Sequence, residues 1–416
     1  MKRLSVLILL LAVLLTGCHP LDIRVQTQLV PPGLSGDRAE IQTAFESYLY
    51  VQRESLVDTY RLEYPASGDY RSAFILKDID GDRAQEALVF YRRYADSNEI
   101  HMNILYDGKS GWHSVADFVC SSTSVQEVRF ADLFGDGGVQ ILVGWSVGST
   151  RESRLQIFRW QQDAVSLCYS GLYSFLVPIP LSSENKDDLL LIHLQADSTA
   201  TATLLSTVGN GMVAVANTPL DGTVLRYTSA QVNMRQAGGR VGVFLDAEKV
   251  NGTLTELLVW DGESLTAPLY DPLAGGTVAS WRASSLSAAD INGNGTTDWP
   301  TTIENADPLL YRWQTWNFEK QEIASLCLGL VPPDDGYTWV IPSGWGGSIR
   351  TRYDAKTHSL TVFRGGDEVF SVTRVNKGSD LNDNVFTDFE TYDYLIRVTD
   401  ASPLSQNAII ARLIEL

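Results

Sequence analysis

One pattern restricts the fold of this chain more than any other: a glycine-containing acidic turn that runs directly into an apolar strand, and then returns. In ILKDIDGDRAQEALVFY, residues 75–91, Asp78, Asp80 and Asp82 hold the first, third and fifth positions of a tight turn. Gly81 holds the fourth and Glu86 the ninth, ahead of the apolar run Ala87–Tyr91. ADINGNGTTDW repeats the frame with Asp290, Asn292, Asn294 and Asp298, and Gly293 again at the fourth position. ADLFGDGGVQI keeps Asp132, Gly135, Asp136 and Gln140, but Phe134 fills the third position, where a ligand oxygen would be needed. The second and third frames in chain order start 54 and 212 residues after the first, and 212 is four times 53. The sequence therefore repeats with a period near fifty.

A repeat of that length containing several short strands points to propeller blades rather than helical solenoids. The first unit reads as four strands: YRSAFILKD, EALVFYRRY, EIHMNILYDG and GWHSVADFV, with Asp107-Gly108 as a hairpin turn between the last two. The next reads as VQEVRFADL, VQILVGW, SRLQIFRW and AVSLCYSG. Further candidates for the second strand, the one after the acidic turn, are DDLLLIHL at 187–194, TELLVWDG at 255–262 and YDYLIRV at 392–398. Runs such as EALVF and DDLLLI are apolar on both faces, as strands sandwiched between neighbouring sheets must be. The expected fold is all-β: a β-propeller of seven blades, or of six, each a four-stranded antiparallel sheet, preceded by a short N-terminal helix over RAEIQTAFESYLY.

Three carboxylates in five residues repel one another unless they splay into water or share a cation. Alternate positions of a tight turn point inward, and hard oxygen ligands suit Ca2+. The first loop is not an EF-hand, because Arg83 and Val89 stand where that motif needs Gly at position six and Glu at twelve. The competing reading is an acidic turn without an ion, since Asp and Gly are ordinary turn residues. With these loops the chain resembles the FG-GAP or VCBS-type repeat propellers, over a period spanning roughly residues 70–400 and closely only at Asp78–Glu86 and Asp290–Asp298. The resemblance implies structural calcium at Asp78, Asp80, Asp82 and Glu86 and at Asp290, Asn292, Asn294 and Asp298. It also implies an adhesion, lectin-like or scaffold role more than an enzymatic one.

The start of the chain carries a separate signal. MKRLSVLILLLAVLLTGC has Lys2 and Arg3, an apolar run from Leu4 to Leu15 too short to span a bilayer, and Cys18 after a small residue and glycine. LTGC resembles the bacterial lipobox, which implies acylation of Cys18; the alternative is an ordinary cleaved leader with an incidental cysteine. The expected organisation is a signal peptide over 1–17, a lipid-anchored tether and helix over 18–60, and the propeller over 61–416. LDIRVQTQLV near the start is either tether or a strand that closes the ring with NAIIARLIEL at the end.

A formal charge of −18 disfavours nucleic acid and direct adsorption to anionic lipid as working contacts. Besides Cys18 there are Cys120, Cys168 and Cys327, so a full disulfide framework is excluded; Cys120 and Cys168 either pair or act as small apolar fillers. His19, His101, His113, His193 and His358 show no metal-binding spacing, and no nucleophile elbow, phosphate loop or dinucleotide fingerprint occurs. Trp281, Trp299, Trp313, Trp316, Trp339 and Trp345 crowd one segment, either as core between blades or as a stacking platform. The sequence thus reads as a bacterial cell-envelope lipoprotein, anchored on the extracytoplasmic side. Its calcium-stabilised propeller would bind a protein or carbohydrate without catalysis. The alternative is an exported propeller enzyme acting on glycans or peptidoglycan.

Overall fold

A strand with apolar side chains on both faces has to be covered twice, and here that is done by stacking sheets. The structure, a computed structural model, describes residues 37–416 except 54–59, 94–97, 149–150, 163, 184, 346, 379–384 and 387–388. Cys18, the leader and LDIRVQTQLV lie outside the described residues.

Helix α1 (Asp37–Arg53) precedes a β-propeller of successive antiparallel meanders. Blade 1 comprises β1 (Tyr60–Leu62), β2 (Phe74–Lys77), β3 (Glu86–Arg93), β4 (Glu99–Gly108) and β5 (Gly111–Ser121), with β1 and β2 end to end along one edge of β3. Blade 2 runs through β6 (Val125–Ala131), β7 (Gln140–Ser146), β8 (Ser153–Gln161) and β9 (Ala164–Tyr173). Blade 3 contains β10 (Phe175–Ser183), β11 (Lys186–Leu194), β12 (Ala200–Val208) and β13 (Gly211–Leu220). Blade 4 contains β14 (Arg226–Gln236), β15 (Arg240–Lys249), β16 (Gly252–Trp260) and β17 (Leu265–Thr266), and a two-stranded ribbon of β18 (Tyr270–Asp271) and β19 (Gly276–Thr277) follows. Blade 5 joins β20 (Asp298–Thr302), β21 (Leu310–Asn317), β22 (Glu322–Leu330) and β23 (Tyr337–Val340). Blade 6 orders β24 (Ile349–Asp354), β25 (Ser359–Arg364), β26 (Asp367–Asn376), β28 (Tyr392–Val398) and then β27 (Val385–Phe386). Helix α2 (Gln406–Ile410) leads to β29 (Leu413–Glu415), which adds to blade 5 beside β23. Among the described residues seven sheets result: six of four or five strands and the ribbon.

Alternation along each inner strand holds the stack together. Ile141 and Val143 of β7 pack with Leu88 and Phe90 of blade 1, while Leu142 between them packs with Leu189 and Leu191 of blade 3. Leu190 and Ile192 face Val243 and Leu245 of blade 4, whose Phe244 turns the other way onto Trp299 and Trp316 of blade 5. Leu330 and Trp339 then meet Leu360, Phe370 and Ile396 of blade 6. The far face of blade 1 is covered by α1, with Ile41 and Phe45 on Ala87, Val89, Tyr91 and Leu105. Five of the six clustered tryptophans are core; Trp281 is exposed.

The strands of the first two units fall where the alternation places them, and four blade steps separate the loops at 78 and 290. β3, β7, β11, β15 and β20 begin at 86, 140, 186, 240 and 298. Three readings are corrected. TELLVWDG is the third strand of blade 4, because RVGVFLDAEK is the second, and YDYLIRV lies beyond β26 in blade 6. The β4–β5 turn is made by Lys109–Ser110, with Gly108 still paired to Gly111. Cys120, Cys168 and Cys327 are unpaired thiols.

The C-terminal segment is tied in by packing as well as by pairing: Ile409 is buried, and Trp339 Nε1 donates to its carbonyl at 3.2 Å. Ile409→Ala is expected to cost about 2–5 kcal/mol in urea unfolding, as for other large-to-small core substitutions. A loss below about 0.5 kcal/mol, the usual scatter of surface substitutions, would show that this segment stands outside the cooperative core.

Candidate metal centre

Each acidic loop ends on the first residue of a buried strand, so the ninth-position side chain is drawn inside. There it performs one task in all three copies. Glu86 Oε2 accepts from Ile79 N at 2.7 Å, Gln140 Oε1 from Leu133 N at 2.6 Å, and Asp298 Oδ2 from Ile291 N at 3.3 Å. In each case the acceptor satisfies the amide of the loop's second residue, whose apolar side chain is buried in a core cluster.

In the first loop the outer positions wrap their own backbone. Asp78 accepts from the amides of Gly81 and Arg83 at 2.8 and 3.1 Å, and Asp80 from Asp82 N at 3.0 Å. Ligand oxygens of Asp78, Asp80 and Glu86 come within 4.8 Å of one another. Calcium bonds of about 2.3–2.6 Å reach oxygens spread over about 5 Å, so the three fit one ion. Glu86 Oε1 is buried with no hydrogen-bond partner among the described residues, and a cation would satisfy it. Burial pushes the Glu86 carboxyl up to about 7, with Asp80 and Asp82 adding repulsion, and burial also raises Asp80. Asp82 stays outside this group, exposed, and turns Oδ1 to Ala84 N at 2.7 Å.

The second good copy closes in the same manner. Asp290 accepts from the amides of Gly293 and Gly295 at 2.8 and 2.7 Å, Asn292 from Asn294 N at 3.1 Å, and Asn294 from Thr296 N at 2.7 Å. Desolvation raises Asp298 to about 6. Thr315 favours its ionised form from nearby, although Oδ1 makes no hydrogen bond of ordinary geometry.

The decayed copy reveals what the sequence did not. Arg159, on β8, reaches back to Asp136 Oδ2 at 2.6 Å, and its guanidinium lies 3.8 Å from the centre of the Phe134 ring. The residue that removes a ligand oxygen thus seats a covalently attached cation. Each of the first two loops also touches the next blade: Val139 N of the second loop donates to Ile79 O at 2.9 Å, and Asp187 N of β11 to Asp132 O at 2.6 Å. Gly81, at φ +85°, leaves room for this, since a Cβ there would stand 2.5 Å from Gly137 O.

Two further buried polar groups occur in blade 4. Glu256 accepts from Asp221 N at 2.7 Å and from the Tyr227 hydroxyl, while Asp221 holds Lys249 at 2.9 Å. Burial raises Glu256 to about 7; burial also acts on Asp221, but Thr223, Thr277 and Lys249 outweigh it and hold Asp221 below the usual carboxylate range. Arg282, fully buried, pairs with Asp246 at 2.8 Å. An acid inside the apolar run TELLVW was the one sequence signal for the first group, and nothing local announced the second.

No family model matches the chain, and no curated protein matches it. Among solved structures it is similar to the Dos1 propeller, at 12% identity and TM-score 0.34, over 73% of this chain and 67% of that one. It is similar to an exo-β-1,3-galactanase from Phanerochaete chrysosporium at 8% and 0.28, over 78% and 80%. A rhamnogalacturonan lyase from Bacillus licheniformis matches at 9% and 0.30, over 74% and 72%. At this distance none of them carries an argument about what the chain does.

The buried acid of blade 4 gives a pH test. With a folded value of about 7 against an ordinary 4.5, Glu256 keeps a proton in the folded protein that the unfolded chain has released. Its contribution to stability is therefore complete below about pH 4.5 and is lost as pH rises to about 7. Glu256→Gln is expected to flatten this part of the stability profile. Denaturant unfolding with an unchanged slope across the window would contradict it.

Proposed function

We propose that the chain is a cell-envelope lipoprotein of FG-GAP or VCBS type, whose calcium-stabilised propeller is a non-catalytic binding or scaffold module for protein or carbohydrate. One observation carries the reading: the same loop, closed by the same ninth-to-second hydrogen bond, recurs ahead of buried strands in blades 1, 2 and 5. An active site is built once, whereas a staple repeats with the blade. In this reading Asp78, Asp80 and Glu86 hold the first ion, with Asp82 joining if it rotates inward, and Asp290, Asn292, Asn294 and Asp298 hold a less charged second site. The order of residues around Cys18 supports a lipid anchor outside the cytoplasm.

An exported enzyme acting on glycans would need two carboxylates of opposed proton affinity in an open cleft. Asp221 and Glu256 have the opposed affinities, but both are buried and engaged with backbone amides and hydroxyls. That placement favours the non-catalytic reading.

Calcium at about 10 mM is expected to stabilise the protein by about 1.4–2.7 kcal/mol for each occupied site, taking dissociation constants of about 10⁻³ to 10⁻⁴ M as in extracellular modules. Asp80→Ala should remove most of the first loop's share of that gain and leave the share of the Asp290–Asp298 loop. Calorimetry with calcium and with chelator decides: equal melting temperatures would leave these loops as acidic turns.

Cys18→Ser is expected to move the protein from the membrane fraction to the soluble or secreted one, since the anchor would be its acyl chains. Unchanged fractionation of the variant would end the lipoprotein reading.

A further inference from the structure

In blades 1 and 2 the acidic loops join first to second strands, so in an antiparallel meander the turns from second to third strands lie at the opposite end of the blades. At that end of blade 4, beside the β15–β16 turn, a cavity of about 470 Å3 is lined by Arg226, Glu248, Lys249, Asn251, Ser284 and Ser287, among others. Its size falls within the range of small-ligand sites, about 300–1,000 Å3.

The charges on its walls are already balanced. Arg226 Nε donates to Glu248 Oε2, and Lys249 Nζ donates to Asp221 Oδ2 at 2.9 Å. An ionic ligand would therefore have to break an existing pair. Hydrogen-bonding capacity of both signs remains: the terminal nitrogens of Arg226, the second oxygen of Glu248, the carboxamide of exposed Asn251 and the hydroxyls of Ser285 and Ser287. Ser284 Oγ is buried with no partner. Such a mixed, neutral set suits a ligand whose own groups both donate and accept.

An apolar wall adjoins it. Gly252 lines the cavity, and a Cβ there would lie 3.0 Å from Trp281 Nε1 and 2.2 Å from Arg282 O, so the indole edge is pressed against the cavity wall. Trp281 is 38% exposed, with Val250 and Val278 at 68% and 70%. Of the tryptophans between 281 and 345 it alone is not core. A large aromatic left at the surface beside unspent polar groups offers a stacking face next to hydrogen-bonding partners.

We propose that this cavity and Trp281 form a binding site for an uncharged saccharide: ring hydroxyls would meet Asn251, Glu248, Arg226 and the serines, and a ring face would rest on the indole. The inference rests on the binding-module reading and narrows its ligand to neutral carbohydrate. Full-length protein without its leader is titrated by calorimetry with short neutral oligomers of glucose, galactose and N-acetylglucosamine, and with oligogalacturonate as an acidic control. Trp281→Ala and Asn251→Ala serve as variants, both at exposed positions, with melting temperature as the folding check. At least one neutral oligomer should bind saturably, with affinity about tenfold or more weaker in Trp281→Ala and several-fold weaker in Asn251→Ala. Binding equal in wild type and both variants would overturn the site while leaving the binding-module reading intact. No binding by any neutral oligomer, or binding of oligogalacturonate alone, would overturn the ligand class. New reducing ends in the titrated samples would overturn the non-catalytic reading and, with it, this inference.

Discussion

The structure depends on sheets covering one another face to face. A strand such as β7 sends Ile141 and Val143 to one neighbour and Leu142 to the other, so no blade has a complete core of its own. Two consequences follow from that shared burial. No blade precedes the first among the described residues, and there α1 supplies cover through Ile41 and Phe45. Its position is then fixed by polar contacts at its rim, where Tyr48 donates to Asp117 at 2.8 Å and Glu46 accepts from Tyr60 at 3.1 Å. At the other terminus, β29 extends blade 5 beside β23, placing Leu413 and Ile409 in the core shared with blade 6.

Stacking of this kind creates a problem where an acidic loop leads into a buried strand, because the amide of its second residue is carried toward the core with its apolar side chain. The ninth residue of each acidic loop solves it by accepting that amide, and Glu, Gln and Asp all serve. A neutral acceptor such as Gln140 finishes the task by itself. A carboxylate brings a charge inside that still needs compensation, which is why Glu86 and Asp298 are held toward their protonated forms by burial. The copy with the neutral residue is also the copy in which Arg159 answers the outer acid Asp136.

Local order in the sequence was enough to locate most of what is local in the structure. Glu99–Gly108 is a strand with the very bounds of its alternating run, and the four-step interval between the loops counts blades correctly. Errors arose where two roles look alike in one dimension. A third strand packed on both faces, as TELLVW is, carries the same unbroken apolar run as a second strand, and only its pairing with β15 distinguishes them. Asp82 has the right spacing to join Asp78 and Asp80, and in this structure its Oδ1 accepts from the amide of Ala84, two residues on, as Asp78 and Asp80 accept from other loop amides. Arg159 was out of reach for a different reason: it stands 23 residues beyond Asp136, on another strand, and its neighbours in sequence do not mark it.

The passage from blade 4 to blade 5 is where regular pairing gives way, and side chains replace it. Between β17 and β20 the described strands are the two short ones of the ribbon, and isolated bridges join Thr253 to Arg282 and Ala289 to Asp298. Arg282 spans the gap from inside, donating to Asp246 at 2.8 Å, Thr255 Oγ1 at 2.9 Å and Ser280 O at 3.1 Å, while Asp246 accepts from Ala288 N at 2.9 Å. A buried pair of this sort adds little net stability, because desolvation offsets its attraction. Its effect is positional: either partner alone would be a stranded charge, so the segment is held at the geometry that satisfies both. Residues 283–287 lie between the two anchored points and form one wall of the cavity beside Trp281. A wall fixed in advance loses less entropy when a ligand settles against it. The ion pair that substitutes for a missing ladder is thus also what gives that surface a defined shape.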